Sequence, residues 1–98
     1  MLDEVRIVEI ARAVARDKLT PKFFEDVRVE PAVTSDGDDA VRITIIIAPS
    51  AVRRLRGDAV LDTLVELRQR LDAEGDARFP IVEYATREEL AEIANSGP

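Results

Sequence analysis

The stretch Val41–Ile47 has the sequence VRITIII and constrains the fold more than any other part of the chain. Alternate side chains of an extended strand point to opposite faces, so its four odd-numbered apolar residues share one face, and Ile46 adds apolar surface to the other. A strand this rich in β-branched residues favours a covered position in the middle of a sheet. The sequence therefore predicts a sheet built around this strand, with helices covering one face.

Two amphipathic helical segments supply that cover. The first runs from Asp3 to about Lys18 and must have ended by Pro21, where Thr20 is expected to cap a brief turn. The second begins near Asp58 and is expected to stop at Gly75. The apolar residues that define the core-facing stripes are Ile7, Ile10, Ala11 and Val14 in the first helix, and Val60, Leu61, Leu64, Val65, Leu67 and Leu71 in the second.

A hairpin precedes the second helix. The run from Val27 to Val33 alternates apolar and polar residues and contains a proline, which favours an edge strand. The polar loop that follows contains an Asp-Gly pair, and a turn centred on Gly37 sets Val33 opposite Val41. By the same register Val29 lies opposite Ile45, and the apolar residues of both strands face one way.

The remaining segments complete the element order. Ser50 is expected to cap a short helical piece, Ala51–Arg56, which ends at Gly57. The run FPIVEY, Phe79–Tyr84, predicts a third strand, and Thr86-Arg87-Glu88-Glu89 is a capping box for a final short helix.

The predicted fold class is α+β, a two-layer αββααβ(α) sandwich. A strand–helix–strand crossover makes the central strand parallel to the third, and the hairpin makes it antiparallel to the first. This gives a three-stranded mixed sheet with helices mainly on one face. We expect a single domain over residues 1–94 and a frayed tail over residues 95–98.

Composition excludes several function classes. The 98 residues contain no cysteine and no histidine, which removes thiolate metal sites and the commonest general base. No segment approaches a membrane span, and the net charge of -6 favours solubility, so we expect a cytoplasmic protein. Because the residue types named above are missing, we also expect no cofactor, no catalytic residues and no small-molecule substrate. Two carboxylates are sufficient for glycoside hydrolysis when they lie in a cleft whose aromatic rings hold the sugar, and a chain with four aromatic residues offers little of either. The carboxylates considered for this role are Asp58, Asp62, Glu66 and Glu83.

The second face of the sheet is the predicted contact surface. Helices on one side leave this face open, and a protein partner or a second copy of the chain would cover its apolar patch. This face is expected to carry Arg28, Arg42 and Ile46, with Val82 and Tyr84 or their neighbours from the last strand. The residues predicted to bind the partner are Arg28, Arg42, Ile46, Val82 and Tyr84. Scattered surface apolar residues, or cover by the final helix, are equally compatible with the pattern. The leading hypothesis is thus a non-enzymatic interaction domain, such as an adaptor or antitoxin-like subunit.

A basic cluster carries the alternative hypothesis. Three arginines, Arg53, Arg54 and Arg56, precede Gly57 and the positive end of the long helix, where anions bind favourably. With the αββααβ order, this junction resembles that of type II KH domains, whose GxxG loop clamps a nucleic-acid backbone. Arg54 stands at the first glycine of that pattern and Gly57 at the second. The resemblance implies RNA binding by these four residues.

The acidic loop offers a third hypothesis. Asp36, Asp38 and Asp39 provide the oxygen ligands that Ca²⁺ or Mg²⁺ prefers. Their spacing lacks the twelve-residue span and distal glutamate of an EF-hand, so we expect a solvated turn without a metal.

Overall fold

The computed structural model describes residues 2–19 and 21–95. Its elements are α1 (Glu4–Lys18), β1 (Phe24–Val33), β2 (Asp39–Ile47), a 3-10 turn (Pro49–Ala51), α2 (Gly57–Ala73), β3 (Phe79–Ala85) and α3 (Arg87–Asn95). The α+β class is confirmed. The expected Thr20 cap and the part of the frayed tail beyond Asn95 lie outside the described residues. No helix in the described ranges is both long enough and apolar enough to cross a bilayer.

The sheet has the predicted topology. Its strand order is β1-β2-β3, with β2 antiparallel to β1 and parallel to β3. The isoleucine-rich β2 is therefore the central strand, hydrogen-bonded on both sides. Helices α1 and α2 pack on the face that carries Ile43 and Ile45, both with 0% of their surface exposed. We call this the helix-covered face, and the face of Arg42, Thr44 and Ile46 the second face.

The core confirms the stripe predicted for α1 and only part of that for α2. Ile7, Ile10, Ala11 and Val14 are all buried against the sheet. In α2 the buried residues are Thr63, Leu67 and Leu71, whereas Leu61 and Val65 are exposed. The apolar stripe of α2 is thus wider than the surface that three strands offer it.

The hairpin register differs from the predicted one by two residues. Val33 pairs with Asp39 and Val29 with Ile43, because the loop is shorter than a turn centred on Gly37 requires. It closes with hydrogen bonds from the Thr34 amide to the Asp38 carbonyl (2.9 Å) and from the Gly37 amide to the Thr34 carbonyl (2.9 Å). A two-residue shift leaves each side chain on its predicted face, so the core is unaffected.

The junction between β2 and α2 contains less helix than predicted. The expected helical piece Ala51–Arg56 with a Ser50 cap is replaced by a 3-10 turn at Pro49–Ala51, and no side chain caps it. The chain continues through turns, and α2 begins at Gly57 itself. Ala51 is fully buried and anchors the junction, since its carbonyl accepts hydrogen bonds from two later amides.

The ends of the longer helices follow the sequence signals. Asp3 caps α1 by accepting a 2.8 Å hydrogen bond from the Arg6 amide. Gly75, at φ +88°, ends α2 in the left-handed conformation that glycine adopts without strain. The capping box of α3 is confirmed, because the Thr86 hydroxyl accepts from the Glu89 amide (3.1 Å) and the Glu89 carboxylate accepts from the Thr86 amide (3.0 Å).

Candidate interaction surface

The structure separates the residues predicted to form one contact patch. Arg28, Arg42 and Ile46 do lie on the second face. Val82 and Tyr84 lie on the helix-covered face, where they pack against the main core. Their assignment to the second face was wrong because the parallel register pairs Ile43 with Val82 and Ile45 with Tyr84. The run FPIVEY has apolar residues at both alternations, so only its pairing with β2 fixes which set faces the core.

The final helix covers the part of the second face that was expected to be apolar and open. α3 begins directly after Ala85, the residue that pairs with Ile46. From there it crosses towards β1, where Arg87 bonds to Glu25 (3.0 Å), and Leu90 lines one depression together with Thr44 and Arg28. Ile46 is only 1% exposed. The prediction that Ile46 forms an accessible patch was therefore wrong.

The rest of the second face is charged and partly paired, and Arg28 is exposed there without an ion pair in the described part of the chain. Arg42 lies on the central strand and spans the sheet, with its guanidinium 3.2 Å from the Glu30 carboxylate on β1 and 3.4 Å from the Glu83 carboxylate on β3. These groups are partly or fully exposed, so solvent screens the pairs and their contribution to stability is small. Arg42 is thus shared between two carboxylates, which together leave one negative charge uncompensated.

Three of the seven large apolar side chains that are exposed in the described part of the chain lie on α2 and at the start of β3. Leu61 and Val65 on α2 are 59% and 45% exposed, and Phe79 at the start of β3 is 46% exposed. The Arg68 guanidinium lies over the Phe79 ring, 5.5 Å from its centroid. We define the β3 edge surface as these four residues together with the unpaired backbone edge of β3. The sequence analysis identified Leu61 and Val65 as apolar but placed them in the core-facing stripe of α2.

The two edges of the sheet differ in their protection. β1 carries an irregular register between Phe24 and Asp26, contains Pro31, and is flanked by helices on both faces. Bulges, prolines and flanking elements are the usual means by which natural sheets block pairing at an edge. β3 pairs with β2 without a register shift, and Pro80 is its one such device. The β3 edge is thus the more open of the two.

A buried ion pair lies at the Phe79 end of the β3 edge surface. The Asp76 side chain is 1% exposed, and its carboxylate lies 2.7 Å from Nη2 of Arg78. It also accepts hydrogen bonds from the amides of Leu2 (3.1 Å) and Arg78 (3.1 Å), and Arg78 donates to the Leu2 carbonyl (3.2 Å). These hydrogen bonds hold the pKa of Asp76 well below its ordinary value, although burial acts in the opposite direction. The sequence analysis missed this pair.

An open depression of about 640 Å³ adjoins this pair. Its lining is mostly charged and includes Asp38, Asp39, Asp72 and Arg68. The hydrogen bond to Asp76 raises the pKa of the Arg78 guanidinium, and the charge of Asp39 adds to this shift. Among the described residues no three carboxylates are arranged to hold a metal ion, and the Asp36, Asp38 and Asp39 side chains are exposed.

The arginine cluster is exposed at the start of α2. Arg56 is the N-cap residue but makes no side-chain capping bond, and its guanidinium lies 3.7 Å from the Asp58 carboxylate. Arg53 and Arg54 have no side-chain partner in the described part of the chain. Gly57 has an ordinary negative φ and open space around it. The junction therefore combines three accessible guanidinium groups with the free amides of a helix N-terminus.

Comparison of the chain with family models, with curated proteins and with solved structures gives no match in any of the three.

Proposed function

We propose that this protein is a non-enzymatic interaction module of the cytoplasm, and that its contact surface is the β3 edge surface. The observation that supports this most is the coincidence of an unpaired strand edge with three exposed apolar side chains, Leu61, Val65 and Phe79. A strand edge offers backbone hydrogen bonds and neighbouring apolar residues add buried area, which together are the means of β-strand addition. The lack of cysteine and histidine is compatible with this role.

A pair of matched variants tests the proposed surface. Val65 on α2 and Val5 on α1 are both exposed helical valines, at 45% and 69%. We expect Val65→Glu to abolish self-association and partner capture, whereas Val5→Glu retains both, and we expect both variants to remain folded by circular dichroism. Light scattering after gel filtration and capture from lysate provide the measurements. Equal behaviour of the two variants in both assays contradicts the proposed surface.

RNA binding is the second candidate function. It is favoured by the uncapped N-terminus of α2 next to three exposed arginines, because free amides and guanidinium groups both bind phosphate. The net charge of -6 opposes it at long range, and Phe23, Phe24 and Tyr84 pack against the core rather than offering rings to bases.

Fluorescence anisotropy with labelled single-stranded RNA tests this candidate. We expect binding at low salt that weakens with increasing salt and with Arg54→Ala, but not with Arg16→Ala, an exposed arginine on α1. Equal loss with both variants indicates nonspecific attraction, and absence of binding at low salt contradicts an RNA function.

A further inference from the structure

We propose that a second copy of this chain occupies the β3 edge surface, paired antiparallel through β3 about a two-fold axis that passes beside Val82 and Val65. The result is a continuous six-stranded sheet with two α2 helices side by side above it. This inference rests on the proposed function and specifies its partner. A two-fold interface requires one surface that is complementary to itself, and three observations indicate such complementarity.

The first observation is that Val82 of β3 and Val65 of α2 lie at the same level along the sheet. β3 and α2 run in opposite directions, as a crossover between parallel strands requires. Near one end the Phe79 ring lies under Arg68, and near the other Tyr84 lies beside Thr63. Val82, between Phe79 and Tyr84, therefore lies at the level of Val65, between Thr63 and Arg68. A single axis placed beside Val82 consequently passes at the level of Val65 in both helices, so the same axis relates the two strands and the two helices.

The second observation concerns the backbone groups at the β3 edge. Pro80 has no amide hydrogen, and a proline within a sheet edge directs its nitrogen away from the neighbouring strand. The backbone groups of Val82 and Tyr84 then point outward by the same alternation. An antiparallel pair centred on Val82 bonds Val82 to its counterpart in both directions and places Tyr84 opposite Pro80 of the second copy. Only two bonds are missing, the one that Pro80 of each copy is unable to donate.

The third observation is the charge pattern of α2. Three residues on either side of Val65 lie Asp62 and Arg68, both exposed. Antiparallel pairing about Val65 brings Arg68 level with Asp62 of the second copy and beside its Leu61. Farther from the axis, Asp58 and Asp72 come level with each other, and Arg56 already lies 3.7 Å from Asp58. Opposite charges thus come level three residues from the axis, whereas Glu66, one residue from it, is paired with Arg70 of its own helix at 3.2 Å.

Cysteine cross-linking tests the position of the axis, because the natural sequence contains no cysteine. At the axis, Val82→Cys places two Cα atoms about 5.5 Å apart, within disulfide range. Glu83→Cys places them roughly 8 Å apart, beyond it. We expect a covalent dimer from Val82→Cys under mild oxidation and none from Glu83→Cys. Cross-linking of the second variant without the first overturns the proposed register.

A charge exchange tests the helix contact. We expect Arg68→Asp to weaken self-association by roughly tenfold or more, because two aspartates then oppose each other on both sides of the axis. The double variant Asp62→Arg with Arg68→Asp restores opposite charges and is expected to recover association. A double variant no stronger than the single one overturns this contact, since Arg68 then acts only through the Phe79 ring.

The oligomeric state separates this inference from the proposed function. A dimer at micromolar concentration that is lost in Val65→Glu supports both. A monomeric protein that captures another protein in a manner sensitive to Val65→Glu overturns self-pairing and leaves the interaction function standing. A monomeric protein without such capture overturns both.

Discussion

Asp76 is the residue on which the most polar interactions converge. Its buried carboxylate joins Arg78 to the amide of Leu2, and so ties the start of the chain to the segment between α2 and β3. A buried carboxylate is tolerated only when charge and hydrogen bonds compensate for the lost water. Most of these compensating hydrogen bonds come from Arg78, two residues away, and only the Leu2 amide is distant in sequence. The pattern Asp-Ala-Arg gave no indication of a buried ion pair because the burial of Asp76 depends on the tertiary structure.

The first prediction concerns this ion pair. Asp76→Asn leaves the Arg78 guanidinium, which is 12% exposed, without its counter-charge, so we expect the free energy of unfolding to fall by about 3–5 kcal/mol. Asp72→Asn, at an exposed neighbouring position, should change it by less than about 0.5 kcal/mol. Urea unfolding followed by circular dichroism measures both. A similar small effect of the two variants would show that the pair is not stabilising.

The second prediction is a dependence of stability on pH. The folded state holds the pKa of Asp76 below its unfolded value of about 3.9, so the ionised carboxylate stabilises the fold fully above that pH. This stabilisation is lost as the pH falls from about 4 towards the folded pKa. We expect urea unfolding at pH 7 and pH 3 to show a smaller acid-induced loss in Asp76→Asn than in the natural protein. Equal losses would contradict the assignment.

The third prediction follows from the burial of Ile46. A glutamate at this position would be enclosed beneath α3 without a partner, so we expect Ile46→Glu to destabilise the fold by at least about 3 kcal/mol. Val33→Glu, at a strand position that is 64% exposed, serves as the control and should be nearly neutral. Thermal unfolding distinguishes them. A stable Ile46→Glu variant would mean that α3 does not cover the second face.

At the scale of the elements, α3 and α2 decide where a partner has access. α3 crosses to the second face and covers the part of it around Ile46, and the capping box at Thr86 and Glu89 fixes the point from which it starts. α2 lies on a sheet too narrow to cover its whole apolar stripe, so Leu61 and Val65 remain accessible beside β3. The accessible apolar surface is therefore a consequence of how many strands the sheet has.

The fourth prediction compares the two glycines that flank α2. An added methyl group meets no atom within 4 Å at either position, but Gly75 has φ +88° and Gly57 a negative φ. We expect Gly75→Ala to lower the free energy of unfolding by about 1–2 kcal/mol, because alanine is strained in the left-handed region. Gly57→Ala should be neutral or stabilise by up to about 1 kcal/mol. Chemical denaturation of the two variants measures the difference, and the opposite order would contradict this account of the helix ends.

At the scale of the whole molecule, net charge opposes the proposed self-association. Two copies of charge -6, with centres roughly 25 Å apart, repel by about 3 kcal/mol at 10 mM salt and by well under 1 kcal/mol at 150 mM. This loss of repulsion exceeds the attraction that two exposed Arg68–Asp62 pairs lose by screening, which is about 1 kcal/mol or less in total.

The fifth prediction follows from that comparison. We expect self-association to strengthen by about tenfold or more between 10 and 150 mM salt, measured by sedimentation equilibrium. Arg54→Glu, outside the proposed interface, makes each copy more acidic and should increase this salt dependence. Association that weakens as salt is added would indicate that local ion pairs dominate instead.

Much of the fold was predictable because its signals are local. The isoleucine-rich run at Val41–Ile47 specifies a covered central strand, the spacing of Ile7, Ile10 and Val14 specifies one buried helix face, and Gly75 with the Thr86–Glu89 box specifies helix ends. Each follows from backbone sterics or from side-chain periodicity within a few residues. The mixed sheet follows in turn, because crossover handedness leaves few other arrangements.

Only the tertiary structure decided which surfaces are free. The face on which Val82 lies depends on its pairing with Ile43, and the exposure of Ile46 depends on the direction that α3 takes after Ala85. The exposure of Val65 depends on the width of the sheet beneath it. An apolar residue has the same transfer free energy wherever it lies in the sequence, so its sequence position does not reveal what will cover it. That is determined by contacts between segments that are far apart in the chain.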